Sequence, residues 1–529
     1  MTTETIQASM RKAKTWALRG TIVTMNQSND LFDDGLVIID GGVIVNIISP
    51  AELPDDFKDI EVIETTGVIY PGLIDLHNHL AYNIMPLWQV PKPFKSRDQW
   101  RGYTPYKTDV YQPVANVLSV YTEPAKATAR FIEAKALMGG VCTGQGIGKR
   151  TKKGDALLIG ALRNVEMPLN DDLPAAGGTV MDVRPNPEGY EELRKRLANP
   201  KLHAYLYHLS EGVDKISRQY YLNLRDNNLI NEKLVGVHSL GLEPDDLKLL
   251  ASKGAKVVWS PYSNLLLYGK TLNLKALKES NVIFSIGCDW SPSGSKNLLE
   301  EAKVAWQVNL DQQSPFEPKD IVAPLTSAPA KILGWESALG NIEKGMLADL
   351  LVLEKSNADV YLNLIMATEK SIKLVLIDGI ARFGSAELMK TFPIEAGQEL
   401  EDISCDGEVK KLYLYHPLSE LNTISFTQAQ KRLTTIMNDL KAFTDANAPG
   451  ISPFEKNIEK SDTEVFELIL DDDMAPIGGT EKFFADAVMK NSIELDQLFP
   501  GDGSYLKQVE SQLNLPVSVK EFLIKCYRN

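Results

Sequence analysis

Short apolar runs alternate with longer amphipathic stretches between residues 67 and 335. The short runs are typical of buried strands, and the longer stretches have the spacing of helices that pack one face on a sheet. Several runs end at or beside a polar residue, among them His77, His208, His238 and Asp289. The alternation predicts a (β/α)8 TIM-like barrel over residues 67–335, near the typical length of about 250 residues. Its strand ends would bring these polar side chains to one mouth.

The regions beside this stretch have different patterns. Residues 14–66 and 336–385 contain short strand-like runs between glycine-containing turn signals. Beyond residue 385, Thr427 to Gln430 and Ser461 to Glu464 are spaced as capping boxes ahead of apolar-periodic runs. The predicted fold class is therefore α/β, with a mostly helical C-terminal extension, residues 386–529. We interpret this extension as an accessory domain. The sequence leaves three roles open for it: closing the barrel mouth, mediating dimerisation or binding a partner protein.

His77 and His79 are two positions apart at the end of an apolar run. Side chains alternate faces along a strand, so both imidazoles point the same way and form half of a metal site. The chain has only six histidines, and His208 and His238 end two further runs. His203 lies five positions before His208 and therefore faces the other way, as a packing residue.

One divalent metal ion, zinc or iron, is the predicted cofactor, and zinc is favoured. It would lower the pKa of a bound water from about 15.7 towards about 7 and so supply a nucleophile at neutral pH. Asp289 can accept the proton of that water and is the candidate general base. The predicted ligands are His77, His79, His208 and Asp289.

The motifs at the strand ends resemble those of the amidohydrolase superfamily. They are PGLIDLHNH at residues 71–79, HLSEG at 208–212, His238, SPYSNL at 260–265 and GCDWSPSG at 287–294. The pattern is most similar to the mononuclear branch that includes triazine hydrolases and cytosine and guanine deaminases. Binuclear members have a carboxylated lysine on the fourth strand, and the predicted fourth strand, residues 179–183, has no lysine.

This resemblance implies further roles. Residues 14–66 and 336–385 would pair as one composite β-sandwich. Glu211 would carry a proton to a ring nitrogen or leaving group, and His238 would hold the water or the developing oxyanion. Residues 80–124 form a long aromatic segment, either a lid or plain packing. The candidate substrate-binding residues are Trp88 in this segment, Asn264 and Trp290.

The predicted reaction is hydrolysis of a carbon–nitrogen bond other than a peptide bond, in a small cyclic amidine, amide or imide. Deaminase and amidase activities both remain open. Adenosine-type deaminases carry a glutamate just after the second strand, where this chain has Thr143-Gly144-Gln145-Gly146, so an adenosine-like substrate is disfavoured. The alternative function is a catalytically silent scaffold that binds a partner through its C-terminal domain, and the presence of every predicted ligand argues against it.

Composition agrees with a soluble enzyme. The formal net charge of −14 leaves no electrostatic footprint for nucleic acid or an anionic membrane. The four cysteines lack metal or redox spacing, and there is no signal-peptide core or apolar run long enough to cross a membrane. We therefore expect a cytoplasmic protein that acts on a small nitrogenous molecule, with a homodimer as one possible assembly.

Overall fold

The computed structural model describes residues 14–179, 186–447, 465–477 and 489–528. The capping box predicted at Ser461 and most of the predicted fourth strand lie outside these residues. The fourth parallel strand that the structure describes begins earlier, at Ala175, and ends at Thr179. Its sequence, AAGGT, also contains no lysine.

The strands of the described residues fall into four sheets. In chain order they are β1 (Trp16–Val23), β2 (Leu31–Asp40), β3 (Val43–Ile48), β4 (Glu61–Pro71), β5 (Leu73–Asp75), β6 (Val141–Gly144), β7 (Gly148–Thr151), β8 (Gly154–Leu157), β9 (Arg163–Asn164), β10 (Ala175–Thr179), β11 (Leu202–Leu209), β12 (Leu234–His238), β13 (Lys256–Trp259), β14 (Phe284–Ile286), β15 (Leu350–Glu354), β16 (Ile372–Ile377), β17 (Ile380–Ser385), β18 (Glu401–Cys405), β19 (Glu408–Leu412) and β20 (Phe466–Ile469).

The α-helices of the described residues lie mainly between the strands of the central region and in the C-terminal extension. They are α1 (Arg97–Arg101), α2 (Thr104–Tyr106), α3 (Thr122–Met138), α4 (Pro187–Leu197), α5 (Lys215–Asp226), α6 (Pro244–Ser252), α7 (Pro261–Tyr268), α8 (Leu274–Ser280), α9 (Leu298–Asp311), α10 (Pro318–Val322), α11 (Ser327–Leu333), α12 (Val360–Met366), α13 (Ala386–Met389), α14 (Phe426–Asn438), α15 (Leu440–Ala446), α16 (Tyr505–Ser511) and α17 (Val517–Arg528).

The two flanks of the central region share one nine-stranded sheet, in the order β18-β19-β17-β16-β15-β4-β1-β2-β3. Antiparallel pairing of β15 with β4 joins them, with Leu350 opposite Pro71. Alternate residues of β15 face two different cores: Leu350 and Val352 pack in the outer cluster, whereas Leu351 packs towards the central region. Both faces are therefore buried, which explains the unbroken apolar run in β15.

The central region contains two parallel sheets, β5-β6-β9 and β10-β11-β12-β13-β14. Backbone hydrogen bonds connect their edges: the Ala176 N–H donates to the Val165 carbonyl, and the Asp289 N–H donates to the His77 carbonyl. The inward face of β11 carries Ala204 and Leu206, which share a core with valines of β12 and β13. His208 continues this face at the carboxyl end of the strand.

The C-terminal extension is packed on the central region. Helices dominate its regular structure, but β18 and β19 extend the large sheet and β20 pairs with β7. Helix α17 packs on α9, and α14 packs on α3. No α-helix in the described parts of the chain is long and apolar enough to cross a membrane.

Candidate metal centre

The predicted ligands meet where the edges of the two parallel sheets come together. His77 and His79 follow β5, and Asp289 follows β14. The His79 N–H donates to the Asp289 carbonyl at 2.6 Å, so the two chain segments run side by side. Gly287 allows this approach, because a Cβ atom there would lie 2.7 Å from the His77 Cβ atom.

His77 and His79 both direct Nε2 at the same oxygen of Asp289. The distances from Asp289 Oδ1 are 3.1 Å to His77 Nε2 and 3.6 Å to His79 Nε2. Two atoms that bind one tetrahedral ion at about 2.0–2.1 Å lie about 3.3 Å apart, which matches these separations. His77 Nε2 is buried and makes no hydrogen bond, as expected of an atom whose partner is a metal ion.

His208 and His238 complete the cluster. Their rings lie 4.7 Å and 5.0 Å from the His77 ring, measured between centroids. The donor atoms form two groups within 4.8 Å: His77, His79 and Asp289, and His77, His208 and His238. The donor set fits a divalent metal ion, and His238 lies within the same distance of His77 and His208 as a ligand atom would.

Burial determines the charge of this cluster. It lowers the pKa of His77 to about 4 and also lowers the pKa of His208, so both imidazoles are neutral at pH 7, the form that binds metal. Burial opposes ionisation of Asp289, but the neighbouring histidines outweigh it and hold the pKa of its carboxyl below the usual range. A carboxylate among neutral imidazoles is the state that a divalent cation would bind.

A second layer of side chains orients these groups. Ser263 donates a hydrogen bond to Asp289 Oδ2 at 2.5 Å, and Asn264 Oδ1 lies 3.0 Å from His238 Nδ1. Both come from the first turns of α7. Asp471, from the C-terminal extension, has Oδ2 2.7 Å from His79 Nδ1.

Glu211 lies beside the cluster and contacts three different side chains. The Tyr268 hydroxyl donates to Oε1 at 2.6 Å, while Arg97 Nε and His238 Nε2 lie 3.4 Å and 3.9 Å from Oε2. Glu211 also lines a surface cleft together with Arg97, Arg101 and Ser217. A buried carboxyl that reaches both a histidine of the cluster and a cleft is suited to proton transfer.

The three predicted substrate-binding residues lie at different distances from the cluster. The Trp290 ring is 6.2 Å from the His79 ring, and its Nε1 donates to Ser293 at 2.5 Å. Asn264 contacts His238, as described above. Trp88 has no ring contact with the cluster histidines: its ring stacks on Phe94 and contacts Tyr106, whose ring contacts Trp290.

The aromatic segment after β5 is densely packed. Tyr82, Trp100 and Tyr106 are all buried and each contacts Trp290. The residues that sequence reasoning missed are Arg97, Tyr268 and Asp471. Tyr268 follows the SPYSNL motif by three residues and could have been found there, whereas no local signal distinguishes Asp471 from its acidic neighbours.

Comparisons with known proteins agree with the resemblance of the strand-end motifs. The model of the amidohydrolase family matches residues 198–382. The 5-methylthioadenosine/S-adenosylhomocysteine deaminase of Bacillus cereus (strain 03BB102) is 23% identical over 417 residues, covering 69% of this chain and 93% of that protein.

Two solved structures show the fold. E. coli guanine deaminase has a TM-score of 0.50 and 18% identity, covering 70% of this chain and 99% of its own. A variant of atrazine chlorohydrolase from Arthrobacter aurescens TC1, complexed with zinc and atraton, has a TM-score of 0.53 and 16% identity, covering 69% and 94%. The match of residues 198–382 to the amidohydrolase family model confirms the resemblance that the strand-end motifs indicated.

Proposed function

We propose that this chain is a metal-dependent hydrolase that cleaves a carbon–nitrogen bond, other than a peptide bond, in a small nitrogenous compound. The observation that carries the proposal is the approach of His77 and His79 to one oxygen of Asp289, with His208 against both imidazole rings. Relatives and neighbours named as deaminases support the reaction class.

We also propose that β5, β6 and β9 to β14 close into one (β/α)8 barrel. The hydrogen bonds at both junctions of the two parallel sheets support closure, as do the folds of the two solved structures. The carboxyl ends of all eight strands would then surround the histidine cluster.

His77, His79, His208 and Asp289 would hold a single ion, with His238 beside it. A bound divalent ion supplies Lewis-acid activation of a water molecule near neutral pH. Imidazole and carboxylate donors suit both zinc and iron, and zinc is favoured because the atrazine chlorohydrolase variant is complexed with zinc.

The chain's own residues would move the protons. Asp289 accepts a proton on the carboxylate whose second oxygen is held by Ser263. Asp289 would take one proton of the attacking water, and Glu211 would carry the other from that water to the substrate nitrogen, with its orientation fixed by Tyr268. His238, positioned through Nδ1 by Asn264, stabilises negative charge that develops on the substrate. Trp290, whose ring contacts that of His79 edge-on, would line the substrate pocket.

The substrate that we favour is a small cyclic amidine, amide or imide. Gln145 replaces the glutamate of adenosine-type deaminases, and its Oε1 accepts the Asn78 N–H at 2.8 Å. This side chain therefore supports the loop that contains the metal ligands, which argues against a purine-reading role. Deamination and amide hydrolysis remain open, since both need the same water and the same proton donor.

The silent-scaffold alternative is not favoured, because every predicted ligand and Glu211 lie together in the described structure. The test is metal analysis of the purified full chain followed by a screen of deaminase and amidase substrates. We expect one divalent ion per chain and turnover of at least one cyclic compound. The His77→Ala/His79→Ala double variant should lose the ion. His203 lies outside the cluster and is exposed, so its predicted packing role was wrong, and His203→Ala should keep the ion. Full occupancy in the double variant would overturn the metal assignment.

A further inference from the structure

Residues 465–477 of the C-terminal extension lie close to the metal centre. At one end, β20 pairs with β7, so that Phe466 is opposite Thr151. At the other end, the Ala475 carbonyl accepts two hydrogen bonds from Arg101, at 2.8 Å and 2.6 Å. The Tyr106 hydroxyl donates to the Met474 carbonyl at 2.5 Å. The segment is therefore anchored on both sides of Asp471.

Asp471 lies between these anchors, with its carboxylate against His79. Its Oδ2 is 2.7 Å from His79 Nδ1, and the opposite nitrogen of the same ring, Nε2, points at Asp289 Oδ1. Asp471 precedes the short helical turn Asp472–Met474, yet its side chain makes no capping hydrogen bond to that turn. The carboxylate is therefore available to the imidazole.

We propose that Asp471 is a positioning residue of the metal centre, and that residues 465–477 belong to the catalytic unit. The inference rests on the proposed metal-dependent function. By accepting the Nδ1 proton of His79, the carboxylate selects the tautomer whose Nε2 lone pair faces the other ligands. It also holds the ring at the angle that the ligand set requires. The His79 side chain is only 3% exposed, whereas the Asp471 side chain that contacts it is 42% exposed.

Because Asp471 is partly exposed, its effect on metal binding can be measured separately from its effect on folding stability. A half-exposed carboxylate on a short segment contributes little to folding, so its removal should act on the metal centre alone. Asp472 provides a matched control, because it is the neighbouring acidic residue and its side chain is exposed. Asp471→Asn is the conservative variant, since its amide oxygen can still accept the Nδ1 proton.

The experiment measures zinc retention by the full chain against a graded chelator, together with the melting temperature of the zinc-free protein. Asp471→Ala should weaken zinc binding by about 10–100-fold, the usual effect of losing such a partner. Asp471→Asn should lie between this variant and the wild type, and Asp472→Asn should match the wild type. All four zinc-free proteins should melt together.

The outcomes separate this inference from the function beneath it. If the wild type holds zinc and Asp471→Ala holds it equally well, Asp471 has no positioning role although the metal centre stands. An equal loss in Asp472→Asn would also overturn the inference, because general charge near the mouth would then explain the effect. If the wild type itself holds no zinc, the proposed function and this inference fail together.

Discussion

At the scale of single residues, several residues at or shortly after the strand ends have unusual backbone conformations. Ser210, His238 and Asp289 all have positive φ angles, of 52°, 61° and 67°. Non-glycine residues rarely adopt this conformation, and where they do, the surrounding structure must hold them. Here the left-handed turn at each strand end redirects the chain just where a side chain must enter the cluster.

The role of Glu211 can be tested by Glu211→Gln, which keeps the shape and removes the ionisable group. Turnover should fall by about 100-fold or more, the usual scale of general acid–base catalysis, with metal content unchanged. Steady-state kinetics on a substrate from the screen and metal analysis check this. Glu279→Gln, at an exposed position, is the control. Turnover at the wild-type rate in Glu211→Gln would remove Glu211 from the mechanism.

Asn264 tests the orientation of His238. Asn264→Ala removes the oxygen 3.0 Å from His238 Nδ1 and leaves a buried ring nitrogen without its partner. We expect a cost of about 1–3 kcal/mol in the free energy of unfolding, and a lower kcat with the metal retained. Denaturant unfolding and kinetics provide the two readouts. An unchanged kcat would show that His238 needs no such support.

At the scale of elements, the position of the cluster depends on how closely β14 approaches the chain after β5. The backbone hydrogen bonds between Asp289 and residues 77 and 79 need the chain at Gly287 to lie against His77. A glycine is required there because any Cβ atom would also meet Val258 at 3.0 Å. The sequence contains this glycine in GCDWSPSG, but only the structure shows why a side chain cannot fit there.

Gly287→Ala should therefore separate the two halves of the ligand set. We expect destabilisation by about 1–3 kcal/mol, as for other overpacked sites, together with weaker metal retention. Thermal unfolding and chelator competition measure the two effects. Gly501→Ala is the matched control, since a Cβ atom there meets nothing within 4 Å. Equal stability of both variants would contradict the close approach.

At the scale of the whole molecule, the C-terminal extension is joined to the central region by buried charges. Asp496 accepts hydrogen bonds from both Lys135 and Lys296, and all three side chains are at most 2% exposed. Nearby, the Tyr505 hydroxyl donates to Glu300 at 2.8 Å. The description of residues 386–529 as a separate accessory domain stays a prediction, but these contacts favour its alternative, a shared core.

Asp496→Ala should leave two buried ammonium groups without their carboxylate. Breaking a buried ion pair from one side costs about 3–5 kcal/mol, so we expect a large drop in the free energy of unfolding, measured in denaturant. Glu494→Gln, two residues earlier and exposed, should unfold like the wild type. If the free energy of unfolding falls by less than about 1 kcal/mol, the contacts of Asp496 contribute no more than a weak surface ion pair does.

Truncation after Gly384 tests whether the C-terminal extension shares a core with the central region. Removal of the extension would expose the buried face of α9 that packs on α17 and would remove Asp471 from His79. We expect an insoluble chain, or a soluble one with weakened metal retention, assessed by solubility and chelator competition. A soluble truncated protein with full metal retention would restore the accessory-domain interpretation.

The sequence by itself determined the resemblance to the amidohydrolase superfamily, the α/β character and the strand ends that carry the candidate ligands. These features are local: strand alternation and motif spacing are properties of neighbouring residues, and they place His77 beside His79 on one face before any folding is considered. The roles assigned to these residues stay predictions until metal and activity are measured.

Only the tertiary structure decided which distant groups support the ligands. Asp471 is 392 residues from His79 in the chain and Asp496 is 361 from Lys135, and no periodicity or spacing records contacts of that range. They arise because burial of apolar surface brings the extension onto the central region, and the charged groups trapped at that junction must then find partners. For this reason the ligands could be predicted from the sequence. The carboxylate that contacts His79 and the carboxylate that pairs with the two buried lysines could not be predicted.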